Sequence, residues 1–160
     1  MELIDIIPVF NLYEEFWRIY TNNDIIPPQY IADSSKIDRS IIGDGCEIYG
    51  EVYNSVIGAG VVIGEGTVVR DSIIMKDTKI CGGCYVEKAI IAEEVYIDDD
   101  CQIGVGEEAP SKLDPRIYAF GLATIGEKSY VPKGVRVGKN TAISGKTAPE
   151  DYPDGELKSG

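Results

Sequence analysis

The chain has 160 residues, enough for one domain with a modest appendage, and its hydrophobic content of 44% makes a packed core the expectation rather than disorder. A formal net charge of -12 and the lack of any basic stripe exclude the usual electrostatic route to nucleic acid. No histidine is present, so the most common general base and a principal zinc ligand are both missing.

Residues 1–30 precede any repeat. Leu3, Ile4, Ile6, Ile7, Val9 and Phe10 form an apolar run around Pro8, which predicts extended chain. Asn11 and Glu14 have capping-box spacing for a short helix that places Leu12, Phe16 and Ile19 on one face, with Trp17 beside them. Pro27-Pro28 ends that helix and turns the chain. So short an aromatic segment must pack on something else, and it is expected to serve as a linker that caps the first coil. The start lacks the basic-then-apolar layout of a signal peptide, and no apolar run approaches the roughly 20 residues of a membrane span. A cytoplasmic location and no membrane contact are therefore expected.

From Ile31 an aliphatic residue opens each short block: Ile31, Ile37, Ile42 and Ile48, then a looser turn over 51–55. Ile57, Ile63, Val69, Ile74, Ile80, Val86, Ile91, Ile97 and Ile103 follow at spacings of six, six and five, so every third opener is 17 residues on. A hexapeptide period of this kind predicts a parallel β-helix, whose coils bury their apolar sides only by stacking. Two residues before the openers runs a column of smaller side chains: Ser55, Val61, Thr67, Ser72, Thr78, Cys84, Ala89, Val95 and Cys101. Residues two apart on a strand share a face, so both columns point inward. The pattern breaks over 104–124, a Pro- and Glu-containing insertion, and resumes at Ile125, Val131, Val137 and Ile143. The domain is thus read as a linker over 1–30, a β-helix over 31–145 and a tail over 146–160, whose turn composition predicts fraying.

The residue just before an opener points outward. On the face made by the five-residue blocks these are Ile41, Val56, Ile73 and Ile90, whereas the other faces carry Val62, Lys79 and Tyr96, or Val68, Tyr85 and Gln102. An aliphatic outer stripe is unusual for a solitary prism and predicts an interface.

The remaining motifs have plain structural readings. Gly43-Asp44-Gly45, Gly58-Ala59-Gly60 and Gly64-Glu65-Gly66 recur at corners with no helix after them, so they turn the chain and do not cradle phosphate. Cys84 and Cys101 fall in the inward column one coil apart, as reduced core thiols, while Cys81 sits at a corner. Asp98-Asp99-Asp100 reads as solvated corner charge. No catalytic, cofactor-binding or metal-binding residue is assigned. Among the few basic residues, Arg70, Lys76, Lys112 and Arg116 are candidates for gathering around a phosphorylated effector.

The irregular segments carry more identity than the repeats. PVFNLYEEFW followed by RIYTNNDIIPPQYI, the strings SIIMKDTKI and EKAIIAEEVYIDDDCQIG, and the insertion GVGEEAPSKLDPRIYAFGLATIGEKS resemble the C-terminal region of bacterial glucose-1-phosphate adenylyltransferases across essentially all 160 residues. The resemblance implies a left-handed β-helix. It also implies a parent enzyme whose separate nucleotidyltransferase domain makes ADP-glucose and pyrophosphate from ATP and glucose 1-phosphate, with magnesium, for glycogen synthesis. That catalytic domain is not in this chain, which is read as a fragment or truncated product without activity or cofactor of its own. Its implied partners are that domain and sister subunits, in a homotetramer or hetero-oligomer, and a phosphorylated effector. Enteric-type members place an effector-related arginine where this sequence has Glu93, which would repel phosphate. Two other readings compete: a free-standing hexapeptide-repeat acyltransferase, against which the missing histidine weighs, and a purely structural β-helix module.

Overall fold

The computed structural model describes residues 25–160 together with Ile4, Glu15 and Phe16. The extended run, capping box and helix expected over residues 1–24 lie outside the described residues. Aliphatic residues at six-residue spacing allow only very short strands between corners. The first coil is built from Tyr30–Ile31, Lys36–Asp38 and Ile41–Ile42, and each strand pairs in parallel with its counterpart on the next coil. Among the described residues nineteen such strands form three sheets of six, seven and six. This is the all-β parallel β-helix expected of the repeat, and it is consistent with a left-handed coil.

From the second coil onward both inward columns sit where the spacing placed them, whereas in the first coil Ile31 is 45% exposed and Ile37 and Ile42 are half-buried. Ile48, Ile57, Ile63, Ile74, Ile80, Ile91, Ile97, Ile103 and Ile125 are all at or below 1% exposure. Each is worth about 1.5–3 kcal/mol of burial, so the stacked openers dominate the favourable side of folding. The smaller column is buried with them, including the polar Ser55, Thr67, Ser72 and Thr78.

Those buried hydroxyls are not stranded. Thr67 Oγ1 donates to Cys81 O at 2.5 Å and accepts from Cys84 N at 3.1 Å, bridging its own coil to the next. Thr78 does the same with Ala92 O at 2.8 Å and Val95 N at 3.3 Å. The thiols of Cys84 and Cys101 keep the donor half of the pattern, each 3.1 Å from a carbonyl of the following coil, Asp98 O and Pro132 O. At the five-residue corners Ser55 and Ser72 turn their hydroxyls back to Tyr53 O and Arg70 O and accept from the next coil's amide. The hydroxyls of Ser55, Thr67, Ser72 and Thr78 are therefore inter-coil connectors, and among the described residues no buried side-chain nitrogen or oxygen lacks a partner.

The shortened corners turn through one left-handed residue each: Arg39, Asn54, Asp71 and Lys88, with φ between 42° and 48°. Arg39 donates to Asn54 Oδ1 at 2.9 Å and Asn54 in turn donates to Asp71, so the stacked corners are laced together.

Two expectations are corrected. The supposed looser turn over 51–55 contains the strand Glu51–Tyr53, and Val52 is a fully buried opener. Its coil is short because the preceding corner, Tyr49-Gly50, has lost residues. Gly50 is required there because an added Cβ would lie 2.3 Å from Thr67 O. The tail does not fray. Glu156–Leu157 pairs in parallel with Arg136 and Val137, and Tyr152 is buried at 5% exposure, its hydroxyl 2.7 Å from Thr147 Oγ1. The C-terminal end of the prism is thus sealed by its own chain.

Candidate functional site

The outer faces of the three sheets differ in kind. Parallel register aligns Lys36, Glu51, Val68, Tyr85, Gln102, Arg136 and Glu156 down the second, seven-stranded sheet, which starts at Lys36–Asp38. Lys36 and Glu51 pair at 2.9 Å, Tyr53 donates to Glu51 at 2.7 Å, and the Arg70 guanidinium lies 4.2 Å from the centre of the Tyr53 ring. The sheet that starts at Tyr30–Ile31 aligns Glu47, Val62, Lys79, Tyr96 and Tyr130, with the last two rings stacked at 5.8 Å.

The third sheet has no such chemistry at these positions. Register aligns Ile41, Val56, Ile73, Ile90, Thr124 and Ala142, all half-buried, and not one is ionisable. The four aliphatic members were legible in the repeat. Thr124 and Ala142 were missed because the insertion interrupts the count, although the position just before Ile125 and Ile143 would have found them. The insertion also contributes Tyr118, which with Ile90, Thr124 and Ala142 lines a groove of about 320 Å³. The site is therefore a flat uncharged strip with an aromatic wall at one end, suited to packing and not to bond-making chemistry.

The effector candidates have separate surroundings. Arg70 is held over Tyr53, Arg116 is paired with Asp114 at 3.0 Å within the insertion, and Lys112 is exposed in the same insertion. Lys76 lies 3.6 Å from Glu93, the acidic residue already noted as hostile to phosphate. That pair is solvent-exposed and worth at most about 1 kcal/mol.

The corner cysteine has company. Ligand atoms of Cys81, Asp98 and Asp99 lie within 4.8 Å of one another, a group that could in principle hold a metal ion. Its lone pairs already serve local structure: Asp98 accepts from Asp99 N at 2.8 Å and from the Tyr130 hydroxyl at 3.2 Å, and Asp99 accepts from Gly82 N at 2.9 Å. The Cys81 sulfur is 3.2 Å from the Tyr96 hydroxyl and pushes that phenol up to about 12. All four cysteines are free thiols. Cys101 alongside, together with burial, pushes the Cys84 thiol well up, so it is inert as a nucleophile.

Comparison with known proteins gives this geometry a family. The family model described as GlmU-like, C-terminal hexapeptide matches residues 27–121. The chain belongs to that family. Within the hexapeptide family it is similar to proteins named glucose-1-phosphate adenylyltransferase. The protein from Lachnospira eligens is 61% identical over all 160 residues, that from Acetivibrio thermocellus 40% over 159, and that from Thermotoga maritima 46% over 160. The chain spans only 37–38% of the length of these relatives. The resemblance noted in the irregular segments is thus borne out across the whole chain. Among the described residues no helix is long and apolar enough to cross a membrane.

Proposed function

We propose that this chain is the non-catalytic, C-terminal regulatory and oligomerisation part of a cytoplasmic glucose-1-phosphate adenylyltransferase. The observation that carries this reading is similarity along the entire chain to about 38% of each named relative, with the hexapeptide model matching residues 27–121. In the intact protein, a nucleotidyltransferase domain would join ATP and glucose 1-phosphate, with magnesium, to give ADP-glucose and pyrophosphate for glycogen synthesis. The β-helix would hold that domain and sister subunits in place. The uncharged strip Ile41, Val56, Ile73 and Ile90, extended by Thr124 and Ala142, is the surface we assign to that docking. It is supported by its contrast with the ion-paired second sheet. A phosphorylated effector, if it binds, would draw on Arg70, Lys76, Lys112 or Arg116, and Lys76 would first have to leave Glu93.

The test is enzymatic. The purified 160-residue chain is expected to form no ADP-glucose from ATP, glucose 1-phosphate and magnesium, and to turn over no acetyl-CoA. ADP-glucose formation would overturn the non-catalytic assignment, and acetyl transfer would favour a free-standing acyltransferase. Genomic DNA upstream of the Met1 codon is expected to encode a nucleotidyltransferase domain in frame.

A further inference from the structure

The corner between the first and second sheets recurs on every coil, and on two of them it gathers sulfur and carboxylate at one point. Carrying the register of Ile63, Ile80, Ile97 and Val131 on by one residue aligns Gly64, Cys81, Asp98 and Pro132. One residue further it aligns Glu65, Gly82, Asp99 and Lys133. Cys81 therefore stands one coil from Asp98. Its sulfur and one oxygen each of Asp98 and Asp99 lie within 4.8 Å of one another, and all three side chains are half-buried.

Each of the three is held by a group outside the trio. The Tyr96 hydroxyl lies 3.2 Å from Cys81 Sγ, the Tyr130 hydroxyl donates to Asp98 Oδ2 at 3.2 Å, and Gly82 N donates to Asp99 Oδ1 at 2.9 Å. The two tyrosine rings are stacked, so their hydroxyls are placed together. Outer partners of this sort fix the orientation of metal ligands. They do not use the ligands up. A carboxylate has about four acceptor sites, of which Asp98 fills two, with Asp99 N and Tyr130, and Asp99 fills one. With no side chain on Gly82, where the coils before and after carry Glu65 and Asp99, the Asp99 carboxylate lies back over the corner toward Cys81.

Charge at the corner is unbalanced. Lys133 pairs with Asp100 at 3.2 Å, and among the described residues no ion pair reaches Asp98 or Asp99. Two neighbouring carboxylates are thus left without a cation on a protein of net charge -12, whose field concentrates divalent cations around it.

We propose that Cys81, Asp98 and Asp99 bind a thiophilic divalent cation, zinc foremost, as a clip between two coils. The donor set makes the choice. Magnesium and calcium take oxygen ligands, whereas a thiolate beside carboxylate oxygens suits zinc. Three protein ligands leave a fourth position to water, and the Cys81 thiol proton is released as the metal binds.

Cobalt(II) is the spectroscopic probe for this site. Titrating it into the reduced 160-residue chain is expected to raise a sulfur-to-cobalt charge-transfer band that zinc removes and excess magnesium does not. Cys81→Ser should abolish the band, and because Cys46, Cys84 and Cys101 remain in that variant, the loss assigns the thiolate. Asp98→Asn and Asp99→Asn should each weaken cobalt binding about 10-fold or more, and Tyr130→Phe, which only releases Asp98, about 10-fold. Zinc should raise the thermal midpoint of the unaltered chain and leave that of Cys81→Ser where it was. No charge-transfer band at millimolar cobalt, a band that survives in Cys81→Ser, or carboxamide variants that bind as tightly as the unaltered chain would each overturn the site. None of these readouts involves ADP-glucose, so the metal clip and the proposed function fail separately.

Discussion

The second and third sheets share an interior and differ outside. Inward, one stacks Val52, Val69, Val86, Ile103 and Val137, and the other Ile57, Ile74, Ile91, Ile125 and Ile143, all buried. Outward, the second sheet is a ladder of charges and tyrosines that satisfy one another, while the third is aliphatic over four coils and polar only at Thr124. Folding a coil makes the same demand on both sheets, so the outer difference is not set by what the prism needs to stand. Four predictions break or sharpen that contrast.

The largest effects should ignore it. Ile74→Ala in the third sheet and Ile103→Ala in the second each delete a fully buried opener and should each cost about 2–5 kcal/mol by urea denaturation. A marked inequality would mean that the two interiors are not equivalent. Next comes the inter-coil connector: Thr67→Val leaves Cys81 O and Cys84 N without their partner and should cost about 1–3 kcal/mol.

The outer faces should then separate. Arg70→Ala on the second sheet loses the contact with Tyr53 and should cost roughly 0.5–1 kcal/mol. Ile73→Lys on the third sheet, measured in this chain alone, should stay within about 0.5 kcal/mol, because nothing ionic is there to be broken. The smallest effect is a titration in the insertion. The Arg116 guanidinium and amide hold Asp114 below the ordinary carboxylate value of 3.8. Its folded pKa being depressed, the stapling contribution is fully present above the ordinary value and fades as pH falls through the lowered one. Carbon-detected NMR should show this depression, and Arg116→Ala should return Asp114 toward 3.8.

Much of this was legible in the residues because a six-residue period leaves little freedom: once Ile57 to Ile103 are aligned, their burial and that of the smaller column follow. What escaped did so where the period was cut. Val52 was hidden because the Tyr49-Gly50 corner had shortened, and a shortened corner shifts the count without changing the strand. Thr124 and Ala142 were lost to the strip because the insertion separates them from Ile90 in sequence but not in register. The tail read as loose from its Pro, Asp and Gly content, yet one aromatic, Tyr152, closes the last coil. Asn140, which ties the insertion down through Gly121 N and Ala109 O, carries no sequence signal distinguishing it from a surface amide. The facing of Lys76 and Glu93, by contrast, was implicit in the repeat, because the two are 17 residues, one coil, apart.

The docking role of the third sheet is tested most directly in the full-length enzyme carrying both Ile73→Lys and Ile90→Lys. Two charges in the middle of the strip should leave each domain folded by circular dichroism yet abolish assembly or lower ADP-glucose synthesis. If subunit assembly and activity both match the unaltered enzyme, the strip faces solvent and its assignment as a docking surface is wrong.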